Sequence, residues 1–138
     1  MPSVLFDSSV YISALRLGNG ALKGSVPDTT LWLSAVVLEE LYAGARDRDR
    51  HIVQRLEHDF EKARRILVPN LSDWTETGRV LARLTAKYGY EHIGRGRLTN
   101  DALIALSAGR AGITVVTANE RDFRRLAEFC AFRWLTKT

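Results

Sequence analysis

The chain has 138 residues, 46% hydrophobic and 26% charged, a composition that excludes a disordered or fibrous protein and leaves room for one globular domain rather than two lobes. Twenty Lys and Arg against sixteen Asp and Glu leave a net charge of +4, which permits a polyanionic partner without identifying one. The single cysteine, Cys130, excludes an internal disulfide and a thiolate-rich metal site. No apolar run reaches the ~18–20 residues of a membrane span, and the opening MPSVLFDSS lacks the basic and long apolar regions of a secretion signal. A cytoplasmic protein with no membrane contact is therefore expected.

Ser3-Val4-Leu5-Phe6-Asp7 reads as a short buried strand, after which Ser8 or Ser9 is placed to cap a helix over Val10–Leu17. Gly18–Thr30 carries turn chemistry and leads to a second strand, Leu31-Trp32-Leu33. Ser34 is placed to cap a helix running to about Gly44. The charged interval Arg46–Arg50 then precedes a longer helix in which Ile52, Val53, Leu56, Phe60 and Ala63 recur at helical intervals. Ile66-Leu67-Val68 predicts a third strand, and Ser72 or Asp73 a cap for a helix carrying Trp74, Val80, Leu81, Leu84 and Tyr88. A Gly- and Arg-bearing loop spans Gly89–Leu98, and Thr99 or Asn100 opens a helix over Asp101–Ala111, with Gly112 as its stop. Ile113–Thr117 is the fourth strand, Asn119 begins a short helix through Phe123 and Leu126, and Phe132-Arg133-Trp134 is a candidate fifth strand. Continuous apolar strands alternating with helices imply an α/β domain whose mostly parallel sheet is covered on both faces. In such domains ligands collect beyond the carboxyl ends of the strands.

Acids stand at those ends. Asp7 closes the first strand, where a helix cap is an equally good local reading. Asp101 lies at the start of its helix, yet Ile104, Ala105 and Ala108 follow at i+3, i+4 and i+7, so the carboxylate shares the apolar stripe. Glu39 and Glu40 sit in a helix apolar nearly all round, so at least one must meet buried surface, and periodicity does not say which. Beyond the fourth strand, Asn119 and Asp122 have the spacing of a helix cap closed from three residues on. None of these acids is decisive alone. Together, three or four carboxylates near the ends of three strands repel one another unless a cation neutralises them. With oxygen donors and no Cys/His set, Mg²⁺ or Mn²⁺ is favoured over Zn²⁺. Such an ion in a basic protein suits hydrolysis at phosphorus.

The segments Leu5-Phe6-Asp7-Ser8-Ser9-Val10, Ser34…Glu40-Leu41-Tyr42-Ala43-Gly44, Asn100-Asp101-Ala102-Leu103-Ile104-Ala105 and Thr117-Ala118-Asn119…Asp122-Phe123 resemble, in order and spacing over essentially the whole chain, the four motifs of PIN-domain ribonucleases. The likeness is closest to VapC-type toxins of toxin–antitoxin pairs. It implies a three-layer α/β/α domain with about five mostly parallel strands and an Mg²⁺- or Mn²⁺-dependent endoribonuclease. Carried over by position, it implies Asp7, Glu40, Asp101 and Asp122 as metal-binding catalytic acids, with Ser8, Thr117 and Asn119 organising the site. An amide at Asn119, where some members have aspartate, favours Asp122 as the fourth acid. The resemblance also implies an RNA substrate, a cognate antitoxin and a homodimer.

Arg95 and Arg97, in the loop before Asp101, together with Arg46 and Arg121, are candidates for contact with an RNA backbone. His51, His58 and His92 have no metal-site spacing, and Trp32, Trp74 and Trp134 are expected in the core. A haloacid-dehalogenase-type phosphatase would need an acid where Ser9 stands, and a phosphoacceptor receiver domain a late lysine and a central aspartate that are missing here. The alternative that survives is a non-catalytic PIN-like module that binds RNA or builds a complex. Against it, a purely binding surface gains nothing from carboxylates that repel a polyanion.

Overall fold

The run Val4-Leu5-Phe6 has no wet face, and all three side chains are buried, because β1 (Ser3–Phe6) lies in the middle of the sheet. The computed structural model describes residues 1–17, 28–89 and 97–137. The turn expected from Gly18 and the basic loop expected after Gly89 fall largely outside these residues. On one side of β1 lie β2 (Thr30–Ser34) and then β3 (Ile66–Leu67); on the other lie β4 (Thr114–Thr117) and then β5 (Trp134–Thr136). Every pairing is parallel, with Val4 beside Leu31 and Thr114, and Leu5 beside Trp32 and Val115. The expectation of a mostly parallel sheet of about five strands holds, and among the described strands it is wholly parallel.

Parallel strands need crossovers, and helices supply them. The helices α1 (Ser8–Leu17), α2 (Ala35–Gly44) and α3 (Arg50–Lys62) lie in the first half of the chain, with a short 3-10 turn at Asp47–Asp49 before α3; α4 (Leu71–Tyr88), α5 (Arg97–Ala111) and α6 (Glu120–Leu126) lie in the second. Within each half the helices pack on one another. Right-handed crossovers outward from β1 to β3, then back across to β4 and β5, put the two sets on opposite faces of the sheet. Leu5, Leu33 and Val115 between them are fully enclosed, each such side chain contributing roughly 1.5–3 kcal/mol.

Several boundaries differ from the sequence reading, each for a local reason. Ser8 and Ser9 begin α1 rather than cap it. Asn70 caps α4: its side chain accepts from Asp73 N–H at 2.9 Å and the Asp73 carboxylate accepts from Asn70 N–H at 2.9 Å. The inward stripe of α4 runs through Asp73, Thr77, Val80 and Leu84, and Trp74, expected in the core, falls outside it, 55% exposed. Trp32 and Trp134 pack against the core as expected. Asp73 is tolerated inside because Arg110 of α5 donates to it, Nε at 3.0 and 3.1 Å. At the far edge, Phe132 turns toward the helices and meets the Phe123 ring edge-on, so β5 begins at Trp134 rather than Phe132. No helix among the described residues is long and apolar enough to cross a membrane.

Two glycines distinguish packing from propensity. A Cβ on Gly109 of α5 would stand 2.6 Å from the Ala131 carbonyl oxygen, whereas one on Gly78 of α4 would meet nothing within 4 Å. Gly109→Ala should therefore cost about 1–3 kcal/mol by overpacking, and Gly78→Ala should stabilise by about 0.5–1 kcal/mol through helix propensity. Urea unfolding of both variants checks the opposite signs.

Candidate active site

The strand order reverses between β1 and β4, which opens a crevice at their carboxyl ends. Asp7 follows β1 directly, and its N–H still donates to Val116 of β4 at 3.1 Å. The residue is only 2% exposed, so its carboxylate must find partners within the protein. Ser9 Oγ donates to Oδ1 at 2.5 Å and Thr117 Oγ1 donates to Oδ2 at 2.6 Å. Neither hydroxyl has much freedom to turn away. Ser9 Oγ accepts from Ala118 N–H at 3.1 Å, and Thr117 Oγ1 accepts from Asn119 N–H at 2.8 Å. Backbone donors thus leave both hydroxyl protons aimed at Asp7. Burial nevertheless pushes the Asp7 pKa above its ordinary value, against the pull of these hydroxyls and of nearby N–H groups.

Glu40 enters the same crevice from α2, while Glu39 beside it is exposed. Burial raises the Glu40 pKa; hydrogen bonds from Asn100 and Ser8 lower it, and the charges of Glu39 and Asp7 push it up again. Its Oε1 is buried with no hydrogen-bond partner among the described residues. Ser8 thus acts on Glu40, and Asn100 ties α2 to α5 next to Asp101. Asp101 is 5% exposed, as its apolar stripe predicts, but it lies in the second turn of α5, which starts at Arg97. The helix dipole at the first turn is therefore not what accommodates it. Asn119 precedes α6, yet its side chain caps no backbone group; Nδ2 donates to Asp122 at 2.8 Å instead. Asp122, Asn119, Thr117, Asp7 and Ser9 form one continuous chain of hydrogen bonds.

Arg46 is exposed and shares a groove of about 470 Å³ with Glu40, and Arg121 is exposed in the first turn of α6. Arg95 and the Arg97 side chain lie outside the described residues, as does His92. The site residues that sequence reading missed are Asn100, which meets Glu40, and Ser9. The spacing of Ser9 to Asp7 looks like local capping, and only the approach of β4 reveals the tertiary role.

The candidate ligands Asp7, Glu40, Asp101 and Asp122 offer only oxygen donors, Glu40 Oε1 is buried with no hydrogen-bond partner among the described residues, and burial raises the pKa of Asp7 and Glu40, which together fit a hard divalent cation. Among the described residues, no three His, Cys, Asp or Glu side chains already stand together as a cage.

The sequence matches the family described as PIN domain over residues 4–129. The chain belongs to the PIN-domain family. No curated protein sequence matches it. Among solved structures, it is similar to a chain of DNA-bound VapBC from Salmonella typhimurium at 22% identity and TM-score 0.66, covering 100% of both chains. VapBC2 from Rickettsia felis bound to a promoter DNA fragment gives 21% and 0.66, with 96% of this chain and 97% of that one covered. VapBC-1 from nontypeable Haemophilus influenzae gives 20% and 0.63, with 96% of each covered. At these identities the likeness establishes a shared PIN fold over the full length.

The acid pKa shifts fix a sign for stability. With its folded-state pKa raised above the unfolded value, Glu40 adds stability at low pH that is lost as pH rises through the folded pKa. Glu40→Gln should raise the thermal midpoint at neutral pH in metal-free buffer and flatten its pH dependence between the ordinary carboxylate range and neutrality. Differential scanning calorimetry across that range checks it.

Proposed function

We propose that this PIN domain is a metal-dependent endoribonuclease and the toxin of a toxin–antitoxin pair. The observation that carries the reading is the crevice at the β1–β4 switch point, where Asp7 is buried on oriented hydroxyls and Glu40 is held within its electrostatic reach. A basic protein that keeps repelling acids together at its strand ends gains from them only with a cation present.

In this reading Asp7, Glu40, Asp101 and Asp122 hold Mg²⁺ or Mn²⁺. When bound, the ion supplies charge neutralisation at the phosphate and acidifies a water molecule. The remaining work belongs to the chain itself. Ser9 and Thr117 keep the Asp7 oxygens fixed, Asn119 orients Asp122, and Ser8 and Asn100 orient Glu40, so that little reorganisation is needed during the reaction. Arg46 and Arg121, with Arg95 and Arg97, attract the RNA backbone through salt-sensitive contacts. The structural relatives come from VapBC assemblies, which supports an antitoxin partner for this chain; a homodimer and action in the cytoplasm belong to the same proposal.

Asp7→Ala and Asp101→Ala, checked for folding by circular dichroism, should each lower Mn²⁺-dependent hydrolysis of a fluorescent single-stranded RNA by about 100-fold or more. Mn²⁺ should raise the thermal midpoint of the wild type and not that of the double variant. Induced expression should arrest a bacterial host only when both acids are present. Undiminished hydrolysis by the double variant in chelator overturns the mechanism, and RNA binding without turnover by the wild type transfers the assignment to a non-catalytic module.

A further inference from the structure

The first turn of α4 presents large apolar side chains to water: Val68 just before it is 61% exposed, Leu71 78% and Trp74 55%. Trp74 borders a cleft of about 270 Å³ whose walls include Val68, Pro69 and Leu103, with Glu39 and Asn100 as its polar members. Asn100 is shared between this cleft and the acid crevice, since it also hydrogen-bonds Glu40 and directly precedes Asp101. The cleft therefore opens beside the position where a phosphodiester would meet the acids.

The Trp74 ring stands on a clamped turn. Its neighbour Asp73 closes the capping box with Asn70, accepts from Arg110 Nε, and faces Arg110 Nη2 at 2.9 Å. Arg110 also donates to the Val68 carbonyl at 3.4 Å, which fixes the other wall. An aromatic face on a rigid turn loses little conformational freedom when a flat ligand lies on it. An open, mainly apolar cleft that shares Asn100 with the acid site and offers amide and carboxylate groups at one edge has the chemistry of a nucleobase subsite.

Resting on the ribonuclease reading, we propose that the Trp74 cleft, joined to the acid crevice through Asn100, receives one unpaired base of the RNA flanking the cleaved bond. Trp74 stacks on the base, and Asn100 with Glu39 meets its hydrogen-bonding edge. The subsite demands an unstacked base, so the proposal specifies single-stranded substrate. A stacked base contributes free energy without neutralising a phosphate, which separates Trp74 from the arginines in a salt titration.

The test uses the full chain, a labelled single-stranded RNA, and chelator to keep the RNA intact. Trp74→Ala should weaken binding about tenfold, within the range for one stacked base, with an unchanged slope of affinity against salt. Trp74→Phe should restore most of the affinity. RNA should quench the tryptophan fluorescence of the wild type, and that quench should be lost in Trp74→Phe, a readout that holds even if the alanine variant folds poorly. In Mn²⁺, Trp74→Ala should raise KM more than it lowers kcat. Wild-type affinity and KM in Trp74→Ala, with hydrolysis intact, overturn the subsite and leave the nuclease reading standing. A wild type that neither binds nor hydrolyses RNA overturns both. Unchanged affinity with loss of self-association in sedimentation at several concentrations also overturns the subsite, and assigns the patch to a second copy of the chain.

Discussion

A carboxylate taken out of water at the end of the central strand is the constraint around which the rest is arranged. Desolvating Asp7 costs free energy that only well-directed donors offset, and the chain recruits them from two distant places. Ser9 comes from the helix that follows the strand, and Thr117 from the end of a strand more than a hundred residues on. Each hydroxyl is itself oriented by a backbone N–H, so the polarity of the crevice is written into the backbone of the β4–α6 connection. The β1–β4 pairing is thus held by hydrophobic burial beneath the sheet end and by a polar relay above it.

That relay is incomplete in a way that gives the site its character. Hydrogen bonds hold Asp7 and Glu40 in place but do not cancel the cost of burying them, and both remain harder to ionise than ordinary acids. Asp73, equally buried, is treated differently: Arg110 gives it a full countercharge and a fork of donors. One fold thus contains an acid fastened between two helices by an arginine and, at the strand ends, Asp7 and Glu40, which among the described residues are held by hydroxyl and amide donors instead. The contrast is the physical basis for assigning structure to the first and chemistry to the second.

Much of this was legible in the residues. The apolar runs at β1, β2 and β4 announce a parallel sheet, and the stripe Asp101, Ile104, Ala105, Ala108 places that acid inward before any coordinates are known. Glu39 and Glu40 mark the limit of periodicity, since a helix apolar nearly all round has no phase to choose between neighbours. Ser9 was hidden for a different reason: a hydroxyl near a helix start looks like a cap, and its Ala118 partner arrives through tertiary approach. Trp74 is a matter of phase: it shares a face with Leu81 and Tyr88, whereas the inward stripe runs through Asp73, Thr77, Val80 and Leu84, so the ring is left facing solvent.

The strand order carries one more consequence. The crevice borrows from residue 7 and from residue 117 alike, and β1 cannot acquire its second neighbour until Thr114–Thr117 has left the ribosome. A nascent or prematurely terminated chain consequently owns the first acids but lacks the scaffold that orients them. Whatever chemistry the finished domain performs is withheld until that strand has emerged.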